Sequence, residues 1–232
     1  MQIVILAGGK ATRLIPLTKT IPKSMLNICG KPFFSHQIGL LKKNNIDKII
    51  MCVGIFANNI SDFYKDGKDF DISIKYSVEQ EQNLLGTAGA LKNAELLLED
   101  EFFVMYGDSY LPIDYKQVFE KFKKLEKLGL ITVFKNENKF DTSNIAIENS
   151  LVTIYDKSGK NKNLQYIDYG LLLLKKKTLD LLPSNTPVDL DFLFHKLIEK
   201  KELACHEIFE RFYEIGSKNG IKDFENYAKQ NL

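Results

Sequence analysis

Near its N-terminus the chain reads Gln2-Ile3-Val4-Ile5-Leu6-Ala7-Gly8-Gly9-Lys10-Ala11-Thr12-Arg13-Leu14. The apolar run over residues 2–6 has the length of a buried strand, and two glycines follow directly. Glycines at a strand end let backbone N–H groups approach an anionic or planar ligand, because no Cβ blocks the approach. A tight turn would explain the same glycines. The loop matches neither the G-x-x-x-x-G-K-S/T phosphate loop nor the G-x-G-x-x-G dinucleotide motif.

Strand-length apolar runs alternate with helix-period segments up to Phe134, which is the pattern of β-α units. The spacing predicts strands over 2–6, 48–53, 72–76, 102–106 and 130–134, and helices over 32–44, 57–64, 87–98 and 115–128. Further on it predicts strands over 145–147, 152–155, 166–174 and 213–215, and helices over 190–200 and 219–230. We expect a single α/β domain over residues 1–232. Its sheet should be doubly wound, mostly parallel and Rossmann-like, with a small β-rich excursion at the 145–155 hairpin.

The composition is that of an ordinary globular protein, since 44% of the 232 residues are hydrophobic and 27% are charged. This apolar content excludes disorder, and the charges that interrupt every apolar run exclude a membrane span. The formal net charge of +2 provides no field for holding nucleic acid or an anionic membrane. Three isolated cysteines without C-x-x-C spacing argue against zinc, and the absence of a basic leader predicts a cytoplasmic protein.

Arginine is rare in this chain, because only Arg13 and Arg211 occur among 32 basic residues. Where lysine serves the general need for charge, an arginine is expected to be used for its fixed charge and planar fork. Arg13 and Lys23 both follow the first predicted strand and bring two cations to one edge of the sheet. A nucleoside triphosphate needs such cations, because negative charge moves to the leaving pyrophosphate as the bond breaks.

The letters L-A-G-G-x-x-T-R-L followed by P-K resemble the signature of sugar-1-phosphate nucleotidyltransferases. The pattern is most similar to the mannose- and heptose-1-phosphate guanylyltransferases, although Ala11 stands where the family has glycine. Later segments agree in the family's order, namely L-G-T-A-G-A from Leu85, V-M-Y-G-D ending at Asp108, Y-D-K ending at Lys157, I-D-Y-G ending at Gly170 and Y-E-I-G-S from Tyr213. The family usually has Asp where this chain has Glu214, and Glu keeps the oxygen donor that Mg²⁺ prefers.

The resemblance implies a nucleotide site, a metal site and an acceptor site. The nucleotide site comprises Leu6, Ala7, Gly8, Gly9, Thr12, Arg13, Glu81, Gly86, Thr87, Gly107 and Asp108, with Arg13 and Lys23 as catalytic cations. The implied ligands of Mg²⁺ are Asp108 and Glu214, and the implied acceptor residues are Lys157, Gly170 and Arg211 beside the sugar-binding excursion. The residues alone also allow plainer interpretations, such as a turn-forming Asp108 and a solvated Lys157.

On this resemblance the chain transfers a nucleoside monophosphate from a nucleoside triphosphate to a sugar 1-phosphate and releases pyrophosphate. GTP with a hexose or heptose 1-phosphate is the favoured pair, because Glu81 could accept hydrogen bonds from the N1–H and exocyclic amine of guanine. One alternative is a cytidylyl- or uridylyltransferase that acts on another phosphorylated acceptor, including a non-sugar phosphate. Another is a catalytically silent nucleotide-binding subunit. We expect small-molecule partners, no nucleic acid and no membrane, and the sequence leaves a homo-oligomer open.

Overall fold

The structure is a computed structural model that describes residues 1–9, 14–80, 82–136, 139–161, 163–184 and 186–232. Its strands are β1 (Gln2–Leu6), β2 (Asn27–Ile28), β3 (Lys31–Pro32), β4 (Lys48–Val53), β5 (Ser73–Val78), β6 (Glu101–Tyr106), β7 (Ser109–Tyr110), β8 (Gly129–Lys135), β9 (Ile145–Glu148), β10 (Leu151–Tyr155), β11 (Tyr166–Lys175), β12 (Leu203–Ile208) and β13 (Tyr213–Glu214). Its α-helices are α1 (Phe33–Lys43), α2 (Ala57–Tyr64), α3 (Gly86–Asn93), α4 (Tyr115–Leu125), α5 (Leu190–Glu199) and α6 (Lys218–Asn231). Short 3₁₀ helices cover Lys23–Met25, Lys68–Phe70, Glu95–Leu97 and Lys176–Leu181.

Nine strands form one sheet in the order β5-β4-β1-β6-β11-β8-β12-β10-β9. The first four strands of this order run parallel, and Val4 of β1 pairs with Ile50 of β4 on one side and Val104 of β6 on the other. Parallel neighbours need crossover connections, which α1, α2 and α3 supply. All of β1 except Leu6 is buried, as expected for a strand covered on both faces.

Strand β11 joins the two halves of the sheet, because it runs antiparallel to β6 on one side and to β8 on the other. Beyond β8, β12 is parallel to it and the β9–β10 hairpin follows, with β9 returning to pair with β11 at Ile145 and Tyr166. The predicted α/β class is confirmed, with more antiparallel pairing than the sequence pattern suggests. The predicted β-rich excursion corresponds to this hairpin, which meets the main sheet at β12 and at β11.

Helices cover both faces of the sheet. On one face α1, α2 and α4 pack against Ile3 and Ile5 of β1. On the other face α3 and α5 pack against Val4, which points the opposite way. Helix α6 closes a third apolar cluster through Phe224. This layering leaves the carboxyl ends of the parallel strands uncovered, where ligands bind in open α/β sheets. Within the described ranges, no helix is long and apolar enough to cross a membrane.

The predicted elements are present with bounds that shift by a few residues. Helix α4 ends at Leu125 rather than at 128, since Glu126 adopts a left-handed φ of 53°. Strand β12 is an element that the sequence pattern does not predict, because a six-residue run with both polar and apolar residues has no clear period. The assignment of one domain over residues 1–232 stays a prediction.

Candidate active site

A cavity of about 310 Å³ opens at the carboxyl ends of β1, β4 and β6. Its wall contains the predicted nucleotide-site residues and catalytic lysine that the structure describes, namely Leu6, Ala7, Gly8, Gly9, Lys23, Gly86, Thr87, Gly107 and Asp108. These residues come from the turn after β1, the end of β6, the start of α3 and the 3₁₀ helix at Lys23. Segments that are distant in sequence therefore meet at one sheet edge. We call this space the nucleotide cavity.

Two glycines let the backbones around the nucleotide cavity come close together. The Gly107 N–H donates to the Leu6 carbonyl at 2.9 Å, and a Cβ on Gly107 would lie 2.9 Å from the same oxygen. Gly86 has a φ of +73°, and a Cβ there would lie 2.7 Å from the Val188 carbonyl oxygen. Close backbone approach thus requires glycine at both positions.

Lys23 and Asp108 form an ion pair in the wall of the nucleotide cavity. Lys23 Nζ lies 2.7 Å from Asp108 Oδ2, and the two side chains are 18% and 26% exposed. A charge-assisted hydrogen bond of this kind in a half-buried position restricts both side chains. The contact brings the predicted catalytic lysine against the predicted metal ligand.

Glu214 approaches the same point from β13. This short strand pairs with β7, and the Ile215 N–H donates to the Asp108 carbonyl at 2.9 Å. A Cβ on Gly216 would lie 2.7 Å from Glu214 Oε2, 3.2 Å from Asp108 Oδ2 and 3.4 Å from Lys23 Nζ. Two carboxylates and one ammonium group therefore converge on a small space beside Gly216.

The pair of carboxylates fits the donor chemistry of Mg²⁺, which is commonly held by one or two carboxylates together with substrate phosphates. Neither here nor elsewhere do the described residues include a group of three or more His, Cys, Asp or Glu side chains that could hold a metal ion. Glu214 Oε1 accepts a hydrogen bond from Ser217 Oγ at 2.7 Å, and Oε2 accepts one from the Gly216 N–H. These bonds orient the Glu214 carboxylate. Metal binding by Asp108 and Glu214 stays a prediction.

A second cavity of about 610 Å³ adjoins the first, and Tyr106 lines both. The predicted acceptor residues Lys157, Gly170 and Arg211 lie in its wall, as does Glu214. We call this space the acceptor cavity. Because the two cavities share Tyr106, ligands bound in them would meet at the end of β6, beside the middle of β11.

Arg211 is held firmly at the wall of the acceptor cavity. Its Nη2 lies 2.6 Å from Asp223 Oδ2. Its guanidinium carbon lies 4.8 Å from the Phe140 ring centroid and 5.1 Å from that of Tyr213. Stacking on aromatic rings is favourable for a planar guanidinium. The ion pair and the stacking are sufficient to explain this arginine, so a contact with the acceptor stays a prediction.

The family model described as nucleotidyl transferase matches residues 2–225. The chain belongs to the nucleotidyl transferase family. Over 179 residues it is 35% identical to D-glycero-alpha-D-manno-heptose 1-phosphate guanylyltransferase of Campylobacter jejuni, with 76% of each chain covered. Over 232 residues it is 30% identical to mannose-1-phosphate guanyltransferase 2 of Candida glabrata, which covers 97% of this chain and 63% of that protein.

A solved structure of HddC from Yersinia pseudotuberculosis complexed with GMP-PN matches this nucleotidyltransferase with a TM-score of 0.80 and 25% identity. The match covers 98% of this chain and 99% of that chain. The chain spans about half the length of several other curated relatives. The family resemblance and the enzyme class predicted from the sequence are confirmed.

Three predicted site residues of this nucleotidyltransferase, Thr12, Arg13 and Glu81, lie outside the described residues. Of the two predicted catalytic cations, the described residues therefore include Lys23 alone, and its catalytic role stays a prediction. Glu79 is a carboxylate that sequence reasoning passes over and that the structure places in the nucleotide cavity, where it is only 7% exposed. Its Oε2 accepts the Leu85 N–H at 2.7 Å. Burial raises the pKa of Glu79, although the Leu85 N–H opposes this shift.

Asp168 is a second carboxylate that sequence reasoning leaves without a role, and it lines the acceptor cavity. Its Oδ1 accepts the Gly170 N–H at 2.9 Å, and its Oδ2 accepts from Tyr155 Oη at 3.4 Å. Burial raises the pKa of Asp168 to about 6, although these hydrogen bonds and the charge of Lys157 favour the ionised form. The signal in the sequence is a charged residue inside the apolar run of β11.

Gly170 allows β11 to bend at this point. Its φ is +102°, and the pairing of β11 with β8 is irregular between Asp168 and Leu172. An irregularity of this kind turns side chains and backbone out of the regular ladder, and glycine relieves the strain of the positive φ. The bend brings both Asp168 and the Gly170 backbone to the acceptor cavity.

Proposed function

We propose that this nucleotidyltransferase transfers a nucleoside monophosphate from a nucleoside triphosphate, with GTP favoured, to a sugar 1-phosphate, and releases pyrophosphate. The observation that carries the proposal is the pair of adjoining cavities that share Tyr106. One has glycine-rich walls with Lys23 and Asp108, and the other has Lys157 and Arg211. This arrangement suits a reaction that joins two phosphorylated substrates.

In the proposed reaction, an oxygen of the acceptor phosphate attacks the α-phosphorus of the triphosphate. A new P–O bond forms as the bond to the β-phosphate oxygen breaks, and pyrophosphate leaves with the electron pair. The attacking oxygen is already anionic, so the reaction needs no general base or covalent nucleophile. Catalysis then depends on positioning and on charge neutralisation.

Lys23 and Arg13 are the proposed cations for the triphosphate. Asp108 and Glu214 would hold Mg²⁺, which when bound supplies further neutralisation of phosphate charge. The convergence of Lys23, Asp108 and Glu214 beside Gly216 supports these roles. On binding of the triphosphate, Lys23 is expected to exchange its contact with Asp108 for a phosphate oxygen.

The preference for GTP is supported by relatives named as guanylyltransferases and by the HddC structure with GMP-PN. It is also supported by Glu79, because a carboxylate can accept from two donors of guanine that uracil does not offer. Glu79 is 7% exposed, and its carboxylate lies against Gly8 of the loop after β1. A Cβ added to Gly8 would lie 3.1 Å from Glu79 Oε1. Glu79 and Glu81 are therefore alternative candidates for contact with the base.

The acceptor cavity suits a phosphorylated compound that also carries hydrogen-bond donors. Lys157 and Arg211 offer positive charge for the phosphate, and the carboxylate of Asp168 offers an acceptor for a sugar hydroxyl. A hexose or heptose 1-phosphate has both features.

An activity matrix tests the proposed function. GTP, CTP, UTP and dTTP would each be combined with Mg²⁺ and with mannose, glucose, heptose and N-acetylglucosamine 1-phosphates and non-sugar phosphates, and pyrophosphate release would be measured. We expect turnover with GTP and one of the sugar 1-phosphates. A preference for CTP or UTP, or for an acceptor without a sugar ring, would select the alternative transferase. No turnover together with normal triphosphate binding would favour the silent subunit.

The cellular compartment is proposed from the state of the cysteines. Cys29, Cys52 and Cys205 are free thiols, as is usual in a reducing compartment, and we propose that the protein works in the cytoplasm. Self-association stays a prediction that analytical ultracentrifugation would test.

A further inference from the structure

The first turn of α3 is bound by the segment that leads into α5. The Thr87 N–H donates to Asp189 Oδ1 at 3.0 Å, and the Thr87 hydroxyl donates to the same oxygen at 3.2 Å. In return, the Leu190 N–H donates to Thr87 Oγ1 at 2.8 Å. These bonds link two helix starts that are 102 residues apart in sequence.

Backbone bonds extend the same contact. The N–H groups of Ala88 and Gly89 both donate to the Val188 carbonyl at 3.0 Å, and the Val188 N–H donates to the Leu85 carbonyl at 2.7 Å. A Cβ on Gly89 would lie 3.2 Å from the Thr186 carbonyl oxygen, so small residues are needed for this approach. We call the paired segments 85–89 and 186–190 the clasp.

The clasp occupies backbone N–H groups of the Gly86-Thr87-Ala88-Gly89 segment at the start of α3. The N–H groups in the first turn of a helix are often used to bind phosphate. Here the N–H groups of residues 87, 88 and 89 are already bonded to Asp189 and Val188. The start of α3 therefore contributes to the nucleotide cavity through the shape of its lip, which Gly86 and Thr87 form, rather than as an open anion site.

Resting on the proposed function, we infer that Asp189 is a positioning residue that holds the Gly86–Thr87 lip of the nucleotide cavity in place through Thr87. Asp189 lines the cavity, and its Oδ1 accepts both hydrogen bonds of Thr87. Asp189 is exposed to solvent, so its contact with Thr87 is not explained by packing of the Asp189 side chain in the core. Loss of this acceptor should loosen the lip and weaken triphosphate binding, while leaving binding at the acceptor cavity unchanged.

Titration calorimetry with GTP, CTP, UTP and dTTP in the presence of Mg²⁺ tests this inference without requiring turnover. We expect Asp189→Ala to raise the dissociation constant of the bound triphosphate about tenfold, a loss comparable to that of one hydrogen bond. Asp189→Asn keeps an oxygen acceptor and should stay within about twofold of the unaltered protein. Thr87→Val removes the hydroxyl bonds to Asp189 and Leu190 but keeps the Thr87 N–H bond to Asp189, so it should weaken binding less than Asp189→Ala. The two changes share the bond between the Thr87 hydroxyl and Asp189, so their effects should be less than additive in the double variant.

Asp114→Ala is the matched control. Asp114 caps α4 by accepting the N–H groups of Lys116 and Gln117, so its loss weakens a helix start that does not line the nucleotide cavity. We expect Asp114→Ala to lower thermal stability without a change in triphosphate affinity. Hydrogen exchange at residues 85–89 should accelerate in Asp189→Ala and not in Asp114→Ala.

Normal triphosphate binding by folded Asp189→Ala would overturn this inference and leave the proposed function intact. An Asp189→Asn variant as weak as Asp189→Ala would also overturn it, since charge rather than hydrogen bonding would then be responsible. If the unaltered protein binds none of the four triphosphates, the proposed function fails and the inference fails with it.

Discussion

Lys23 holds its ammonium group in a space that two carboxylates share. The group lies 2.7 Å from Asp108 Oδ2, and Glu214 Oε2 borders the same space beside Gly216. A lysine in this position neutralises the carboxylates that are proposed to bind Mg²⁺. Its charge should therefore oppose metal binding before the triphosphate arrives and assist the reaction afterwards.

Substitution of Lys23 should separate these two effects. We expect Lys23→Met to lower kcat/KM by about two orders of magnitude through loss of transition-state charge stabilisation. In the nucleotide-free protein, the same change should tighten Mn²⁺ binding about tenfold, because a repelling cation is removed at close range. Electron paramagnetic resonance of free Mn²⁺ measures the second effect. Lys124→Met, an exposed change on α4, is the control, and equal Mn²⁺ affinity in both variants would contradict the placement.

Asp168 should make stability depend on pH. Burial raises its pKa from 3.8 to about 6, so the folded state holds a proton that the unfolded state releases between these values. The stabilisation associated with this proton is present below about pH 4 and is lost as the pH rises through about 6. Asp168→Asn removes the dependence. Relative to the unaltered protein, the variant should gain up to about 3 kcal/mol in free energy of unfolding between pH 4 and pH 7.

Urea unfolding of both proteins across this pH range measures the difference. Asp156→Asn is a useful comparison when the series is extended below pH 4. Hydrogen bonds from Ser158 lower the pKa of Asp156, so its contribution to stability is lost as the pH falls below about 4, a trend of opposite sign. A stability difference between Asp168→Asn and the unaltered protein that stays constant with pH would refute the raised pKa.

At the scale of elements, the turn between β13 and α6 determines where Glu214 points. Ser217 caps α6 by accepting the Gly220 N–H at 2.9 Å, and its hydroxyl also donates to Glu214 Oε1. Gly216 leaves room for both carboxylates. The start of the last helix thus orients a carboxylate of the candidate metal site as well as stabilising the fold.

Gly216→Ala should disturb the candidate metal site more than the fold. The added methyl group would lie within 3.4 Å of Glu214, Asp108 and Lys23, so their charged ends must move apart. We expect turnover to fall about a hundredfold, with a raised Mg²⁺ requirement and a small change in thermal stability. Gly39→Ala on α1, where nothing lies within 4 Å of the added Cβ, should retain activity and slightly raise stability. Equal activity of the two variants would contradict the proposed site.

The sequence predicts those elements whose pattern is local. Strand β1 is predicted because a short apolar run is followed directly by Gly8-Gly9, a pattern that is visible within a few residues. The family resemblance then predicts that Asp108 and Gly86 lie beside this loop. Strand β12 could not be found, since its identity comes from pairing with β8, which lies about 70 residues earlier. Asp189 and Thr87 meet only after α3 and α5 pack side by side on the same face of the sheet, so neither residue signals the contact by itself.

At the scale of the whole molecule, β11 ties the two halves of the sheet into one unit. Leu172 is 1% exposed and pairs with Val104 of β6 and Ile131 of β8. We expect Leu172→Ala to lower the free energy of unfolding by about 3 kcal/mol, as is usual for a truncated core leucine. Native-state hydrogen exchange should then accelerate equally in β4 and in β12. Acceleration in only one of these strands would indicate that the halves unfold separately.

The position of β11 also bears on how such an enzyme can diversify. The strands on one side of β11 carry the turn and the lip of the nucleotide cavity, whereas Gly170 lies on β11 and Lys157 follows the β9–β10 hairpin beyond it. This hairpin pairs with β12 and with β11 through one residue pair each, and the surface loops beside it tolerate insertion and replacement better than the central strands do. Remodelling of this hairpin is therefore expected to change the acceptor while leaving the half proposed to bind the triphosphate intact.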